Sequence, residues 1–321
     1  VRLLLGLFSL GILGLVLYMG GMDAWRQVLR ADLRWVGLAF ACTALLTYVS
    51  AMRWALIANA LAGTRLCSTR AYYHYLMMGK TVGLVLPEAV GVYTIGPLNM
   101  KLDGQASFKL AFGSLFLDKL FDIGLSGILL VPTAAYVLHL ISLPACAALF
   151  GLFFAGLAVV LIGWYGPLLD LGFRLRDRVR NWKGVRNLKA WEALGALRHE
   201  QAPPQRVALA AYGLTVVRYL FMTARFAAVS LAVGVAVPPL LVFVGIPIAQ
   251  LGLLLAVTPG ALGALEAGWL GVLLLAGLPR QDIATFLIGQ RAALFAFIFA
   301  LGALSYLGSL IVPLRKGSEP L

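Results

Sequence analysis

Charge is what this chain has least of. Only 12% of its 321 residues are Asp, Glu, Lys or Arg, while 61% are hydrophobic, and its mean hydropathy is +0.92. A soluble domain is about half apolar and a quarter charged, so a water-soluble globular fold is excluded. Acidic residues are scarcest: 13 Asp and Glu stand against 26 Lys and Arg, for a net charge of +13. In so apolar a chain that excess reads as basic cytoplasmic loops and contact with anionic lipid head groups, not as a nucleic-acid surface. Cys42, Cys67 and Cys146 lie singly in or beside apolar segments. No pair has metal or redox spacing, so they read as packing residues. His74, His139 and His199 are too scattered for a metal site. No GxGxxG follows a strand. Gly79-Lys80-Thr81 ends like a phosphate-binding loop, but the glycine required at position 74 is His74. No Ser/His/Asp order suggests a nucleophile. The expectation is therefore a protein that is not an enzyme and needs neither cofactor nor metal.

What is present is a series of apolar runs of about 20 residues, the signature of an all-α polytopic membrane protein. The chain reads as a single membrane domain, residues 1–321. A first span runs near Leu3–Met19, followed by a short interfacial helix over 21–34 with Trp25 and Trp35 among arginines. A second span covers about Val36–Ala58. Arg53-Trp54 marks its far end, where the arginine can snorkel and the tryptophan can sit at head-group level. Further spans lie near 115–140, 143–164, Val207–Val235 and Ala284–Val312. Between them, residues 165–206 alternate basic and apolar positions in helical period, a basic amphipathic linker lying on the cytoplasmic face. The basic loops place both termini in the cytoplasm.

Two stretches interrupt this pattern. Leu86-Pro87-Glu88-Ala89-Val90-Gly91 and Thr258-Pro259-Gly260-Ala261-Leu262-Gly263-Ala264-Leu265-Glu266 put proline and glycine where a helix should continue. In hydrocarbon a broken helix is tolerated only where protein or a water-filled cavity receives the freed backbone groups. Pro87 and Pro259 lie 172 residues apart, as do Gly91 and Gly263, Arg53 and Arg225, and Lys119 and Arg291. Paired breaks in corresponding halves point to a transporter's binding site. Tyr72 to Met100 is too short for two crossings of a ~30 Å core, so the first break reads as a re-entrant hairpin. Residues 240–278 could form a hairpin or two full spans. The fold expected is two inverted repeats, 1–164 and 207–321, with Pro/Gly-broken, partly re-entrant helices.

The ionisable residues in these segments are the candidate substrate-binding groups, because an intramembrane charge costs at least ~2.5–3.5 kcal/mol on insertion scales. Glu88 and Glu266 flank the breaks; each could receive a proton, a cation or an amine, or could cap a helix or pair with an arginine. Asp118 and Asp122 share a helix face with Lys119 beside them. They form either a self-neutralising cluster or a site where Lys119 attracts an anion. Arg291 has no acid nearby in sequence and would contact a phosphate or Glu266. Arg218 and Arg225, seven apart, suggest one anion-binding face, or one snorkelling and one structural arginine. Asn99 could cap a helix or meet a ligand. Pro87, Gly91, Pro259, Gly260 and Gly263 are the break positions. The small-residue pairs Ala264/Gly268 and Ala267/Gly271 read as close helix packing.

With these residues in place, the chain resembles the transmembrane domain of the lysylphosphatidylglycerol synthases, the flippase-like family. The matching pieces are Arg53-Trp54, Leu86-Pro87 with Gly91, and the run Ser114-Leu115-Phe116-Leu117-Asp118-Lys119-Leu120-Phe121-Asp122. They continue with Thr258-Pro259-Gly260-Ala261-Leu262-Gly263 plus Glu266, and end with Gly289-Gln290-Arg291. The sequence departs from the pattern after Gly91, where Val92-Tyr93-Thr94 replaces a Gly-Gly-like or Gly-Asp-like continuation. The resemblance implies a lipid-translocating domain in the bacterial inner membrane. Two-part members add a soluble aminoacyl-transfer domain, which this sequence lacks, so that activity is not carried over. The function expected is a lipid flippase or transporter for a phospholipid or a related polyprenyl or aminoacylated lipid. Its partners would be anionic or zwitterionic membrane lipids, with self-association into a homo-oligomer left open. The alternatives are an ion-coupled transporter of a small solute and an accessory subunit of a lipid-modifying complex.

Overall fold

The structure is a computed structural model that describes residues 2–86, 90–180, 203–254 and 261–311. Among these residues every regular element is helical. Helix α1 (Arg2–Leu29) is interrupted at Gly21, whose φ of 53° and ψ of −162° lie outside helical space. The break separates the apolar first run from the Trp25 segment. Helix α2 (Leu33–Ala62) starts where the Asp32 side chain accepts from the Arg34 N–H. Short α3 (Thr69–Gly83) leads to the first break, followed by a π-helical turn (Gly91–Ile95) and α4 (Gly96–Leu102). Helices α5 (Phe108–Val137) and α6 (Leu143–Gly163) follow, each opened by a serine, Ser107 and Ser142, that caps its first turn. The amphipathic stretch begins as α7 (Tyr165–Arg180); residues 181–202 lie outside the described part. The second half comprises α8 (Gln205–Ala232), α9 (Pro239–Leu254), α10 (Ala264–Leu275) and α11 (Arg280–Ile311).

Five of these helices, α2, α5, α6, α8 and α11, are long and apolar enough to cross a membrane. The chain is thus an all-α, multi-pass membrane protein. Helix α6 is the most apolar, and only 11% of its apolar window is buried, so it forms the outer rim. Helices α9 and α10 span 16 and 12 residues, short of the roughly 20 that a crossing needs. They pack against each other: a Cβ on Gly268 would meet the Ala249 Cα at 2.7 Å. The expected small-residue packing holds at Gly268, whereas Gly271 has nothing within 4 Å. At the first break the two arms meet more closely still. A Cβ on Gly91 would lie 2.4 Å from the Gly83 nitrogen and 2.6 Å from the Gly79 carbonyl oxygen. Only glycine lets backbone approach backbone this way. In both regions the helical segments on either side of the break pack against each other.

The element boundaries carry a regularity beyond the four matched residues. Helices α8, α9, α10 and α11 begin 172 residues after α2, α3, the π turn and α5, within two residues in every case. Packing repeats as well. Helix α3 lies on α11, and its counterpart α9 lies on α5. Among the described residues, helices α2 and α8 form the most extensive contact. Arg53 of α2 bonds Thr215 of α8, and Ser50 bonds Arg218. As numbers fall along α2 they rise along α8, so these equivalent helices run antiparallel.

Candidate functional site

Along the α2–α8 contact the apolar interior gives way to charge. Arg53 is fully buried, contrary to the expectation that it snorkels at a span end. The reason is that α2 continues two and a half turns past it, to Ala62, and α5 offers carboxylates. Arg53 Nε donates to Asp118 Oδ1 at 2.6 Å and Nη2 donates to Asp118 Oδ2 at 3.0 Å, a two-point fork. Its Nη1 donates to Asp122 Oδ1 at 2.8 Å and to Thr215 Oγ1 at 2.6 Å. Trp54 is buried too, with Nε1 donating to Ser114 Oγ at 2.9 Å, and so does not sit at a head-group boundary.

Helix α8 completes the cluster. Arg218 Nη1 donates to the same Asp122 Oδ1 at 2.9 Å, and its Nε donates to Ser50 Oγ at 3.0 Å. Lys119 Nζ lies 3.6 Å from Asp118 Oδ2 and 3.5 Å from Asp122 Oδ2. Arg53, Arg218 and Lys119 thus face two carboxylates, leaving one net positive charge. Lys119 and Arg218 each keep a small exposed fraction, 18% and 14% of the side chain, whereas Arg53 has none. The sequence reading paired Lys119 with the aspartates but did not place Arg53 or Arg218 there. The signal was a carboxylate surplus along α5 and an Arg53 singled out by its 172-residue counterpart Arg225.

A second charged group sits at the other break. Glu266, buried on the first turn of α10, accepts from Arg291 Nε at 2.6 Å through Oε1. Its Oε2 accepts from the Gly263 N–H at 2.8 Å, and Arg291 Nη2 reaches the Ala261 carbonyl at 3.3 Å. Gly263 has φ 82°, a left-handed conformation suited to glycine. Glu266 therefore both caps α10 and ties it to α11. Of the two partners expected for Arg291, a phosphate or Glu266, the structure shows Glu266.

Arg225 stands apart from Arg218, so the two do not share one set of partners. Its guanidinium carbon lies 4.1 Å above the Phe226 ring. Its charged electrostatic neighbours are other arginines, Arg218 and Arg291. Asn99 serves its helix end through its backbone carbonyl, which accepts from Asp103 N–H at 2.9 Å. Asn59, not anticipated, holds the α2–α3 loop by accepting from Leu66 N–H and Tyr72 Oη at 3.0 and 3.1 Å. Glu88, Pro87, Pro259 and Gly260 lie outside the described residues. All three cysteines are buried, as expected of packing residues. No group of metal-ligating side chains occurs among the described residues. A cleft of about 290 Å³ opens between α3 and α11, lined by Arg70, Tyr73, His74 and Ser305.

No curated protein matches this chain. No solved structure matches it either. One family does: the model of the lysylphosphatidylglycerol synthase TM region matches residues 1–302. Arg53, Asp118, Asp122, Glu266 and Arg291 all fall within that match. The chain belongs to the lysylphosphatidylglycerol synthase TM region family.

Proposed function

We propose that this protein is a lipid flippase or lipid transporter of the bacterial inner membrane, with both termini cytoplasmic, and not an enzyme. Its cargo is a phospholipid or a related lipid, polyprenyl-linked or aminoacylated. The head group crosses through the polar interior while the tails remain in the bilayer. One observation carries this reading: a buried, net-positive ion cluster at the contact of the antiparallel helices α2 and α8. Charges inside a membrane domain are expensive and mark pathways, and hairpins at equivalent positions are the moving parts of inverted-repeat transporters.

The geometry suggests how the parts divide the work. Two halves, 1–164 and 207–321, form an inverted repeat, and the hairpins enter the membrane from opposite sides. Because α3 packs on α11 and α9 packs on α5, rocking one half against the other opens one of these contacts as it closes the second. The α3–α11 contact holds the 290 Å³ cleft. At the equivalent α9–α5 contact, Thr133 Oγ1 donates to the Val244 carbonyl at 2.9 Å within apolar packing. That asymmetry fits a state open on the α3 side. Lys119, Arg218, Arg225 and Arg291 draw the phosphate, and Glu88 and Glu266 meet an amine or a proton. An ion gradient drives the movement, or it runs downhill.

The test is transbilayer movement of head-group-labelled lipids in proteoliposomes, run across anionic, zwitterionic and aminoacylated head groups. Faster exchange than in protein-free vesicles for at least one lipid supports the proposal. No acceleration for any of them, with folded protein confirmed in the same vesicles, overturns it.

A further inference from the structure

The contact between α3 and α11 is tight at one level and open at another. A Cβ on Gly302 would run into the Thr81 hydroxyl, so the two helices are pressed together there. Toward the start of α3 and the end of α11 they part, and the cleft of about 290 Å³ opens between them. Arg70, Tyr73 and His74 form its α3 wall; Leu301, Leu304 and Ser305 form its α11 wall. Two polar contacts bridge the walls. His74 Nδ1 and Ser305 Oγ lie 3.2 Å apart, and Arg70 Nη2 donates to the Gly308 carbonyl.

The lining has charge of one sign. Arg70 is exposed, and no Asp or Glu lines the cleft beside it. Among the described residues no carboxylate lies within ion-pair distance of Arg70. Asp103, an electrostatic neighbour of His74, instead accepts from Tyr75 Oη at 2.7 Å. A guanidinium has several N–H donors in one plane, and the Gly308 carbonyl engages one side of it, so a two-point fork is still on offer. An amine entering the cleft would find no carboxylate, whereas a monoanion finds a cation. The opposite wall is apolar and leads outward: Leu301 is buried, while Leu304 and Leu307 on the same helix are exposed. At about 290 Å³ the cleft stands at the lower end of small-ligand sites, roughly 300–1,000 Å³. It has room for a head group and leaves acyl chains outside, along those leucines.

We propose that the α3–α11 cleft binds a phosphate monoanion, as carried by the phosphodiester of an anionic lipid or by free phosphate. Arg70 grips two phosphate oxygens, and the Tyr73 hydroxyl adds a donor. A charged acceptor makes hydrogen bonds about twice as strong as a neutral one, so a phosphate competes well with the Gly308 carbonyl for the guanidinium. The site shares no residue with the Arg53 cluster or with the Glu266–Arg291 pair. As a lipid site it rests on the lipid-transport reading and deepens it by naming the charge class of the lipid, yet binding is measured without transport.

The test is binding to the purified full chain in a non-ionic detergent. The probes are short-chain phosphatidylglycerol, which is anionic, short-chain phosphatidylcholine, which is zwitterionic, and inorganic phosphate. Wild type should bind phosphatidylglycerol at least 10-fold more tightly than phosphatidylcholine. Competition by inorganic phosphate marks the phosphate group alone as the ligand; its absence marks the lipid. Arg70→Gln keeps an N–H for the Gly308 carbonyl but loses the charge, and should weaken binding at least 10-fold with an unchanged unfolding profile. Arg70→Lys should lose less, because only the fork goes. Ser305→Phe fills the cleft from the opposite wall with Arg70 intact and should weaken binding as well, which decides the matter if Arg70→Gln fails to fold. Equal affinity for the two lipids, no binding of any probe by folded wild type, or wild-type affinity in folded Arg70→Gln overturns the site. Intact binding with no lipid movement in proteoliposomes would instead sink the transport reading and leave the site standing.

Discussion

Asp122 is the hinge of the ion cluster, and removing it predicts a specific non-additivity. Its Oδ1 accepts from both Arg53 and Arg218, and its Oδ2 is 3.5 Å from Lys119. Asp122→Leu leaves Asp118 alone against three cations, and Arg218 is left with only the Ser50 hydroxyl. Taking one partner from a buried ion pair costs about 3–5 kcal/mol. Arg218→Leu is milder, because Asp122 keeps Arg53 and Lys119; the lost hydrogen bonds to a charged group amount to roughly 1.5–3 kcal/mol. The double variant removes the stranded cation together with its partner. Leucine already stands at both related positions, Leu294 for Asp122 and Leu46 for Arg218, so the side chain suits this interior. The double variant should then fall short of the summed single losses by about 1.5–3 kcal/mol, the coupling typical of one network. Denaturant unfolding in mixed micelles, read by tryptophan fluorescence, measures all four proteins. Strict additivity, or an Asp122→Leu loss under about 1 kcal/mol, would refute the view that these charges form one network.

Other predictions are independent of it. Glu266→Gln takes the carboxylate charge from Arg291 and should destabilise the protein by about 3 kcal/mol, while Glu266→Ala, which also removes the α10 cap, should lose roughly 1 kcal/mol more; the same unfolding assay orders the two. Gly91→Ala drives a methyl group into the Gly83 backbone at 2.4 Å and should cost at least ~1–3 kcal/mol. Gly113→Ala, with nothing within 4 Å, should gain about 0.5–1 kcal/mol; equal Tm changes would contradict the hairpin packing. Cys67, in the loop after α2, has its thiol pushed up to about 12 by burial. Folding therefore holds its proton more tightly than the unfolded chain does, and stability from this group is lost as pH rises above the ordinary thiol range. Maleimide at pH 8, read by mass spectrometry, should leave Cys67 unmodified in folded protein and modify it after denaturation.

How much of this was visible in the residues differs by element. The long spans were, because about 20 apolar residues in a row have few other uses; their ends moved by several residues where a cap decided them, as Ser107 does for α5. The two breaks were visible through Pro87, Gly91 and Gly263, since these residues interrupt a helix by their own covalent structure. Arg53 was misplaced because sequence shows proximity along the chain only. Its partners are 65 and 69 residues away, and a charge near a presumed span end looks like a snorkelling one. Had the carboxylates of Asp118 and Asp122 been counted against the single adjacent lysine, a missing cation would have been evident. That Gln290 is buried with neither amide atom hydrogen-bonded among the described residues could not be read from sequence at all, because it depends on what packs around an amide that is polar in any context.

The most direct test of the central claim is the rate at which labelled phosphatidylglycerol crosses proteoliposome membranes, wild type against Arg225→Gln. The account predicts protein-dependent movement that falls at least 10-fold in the variant while its unfolding profile shows it is folded. Movement at the wild-type rate in the folded variant would contradict it.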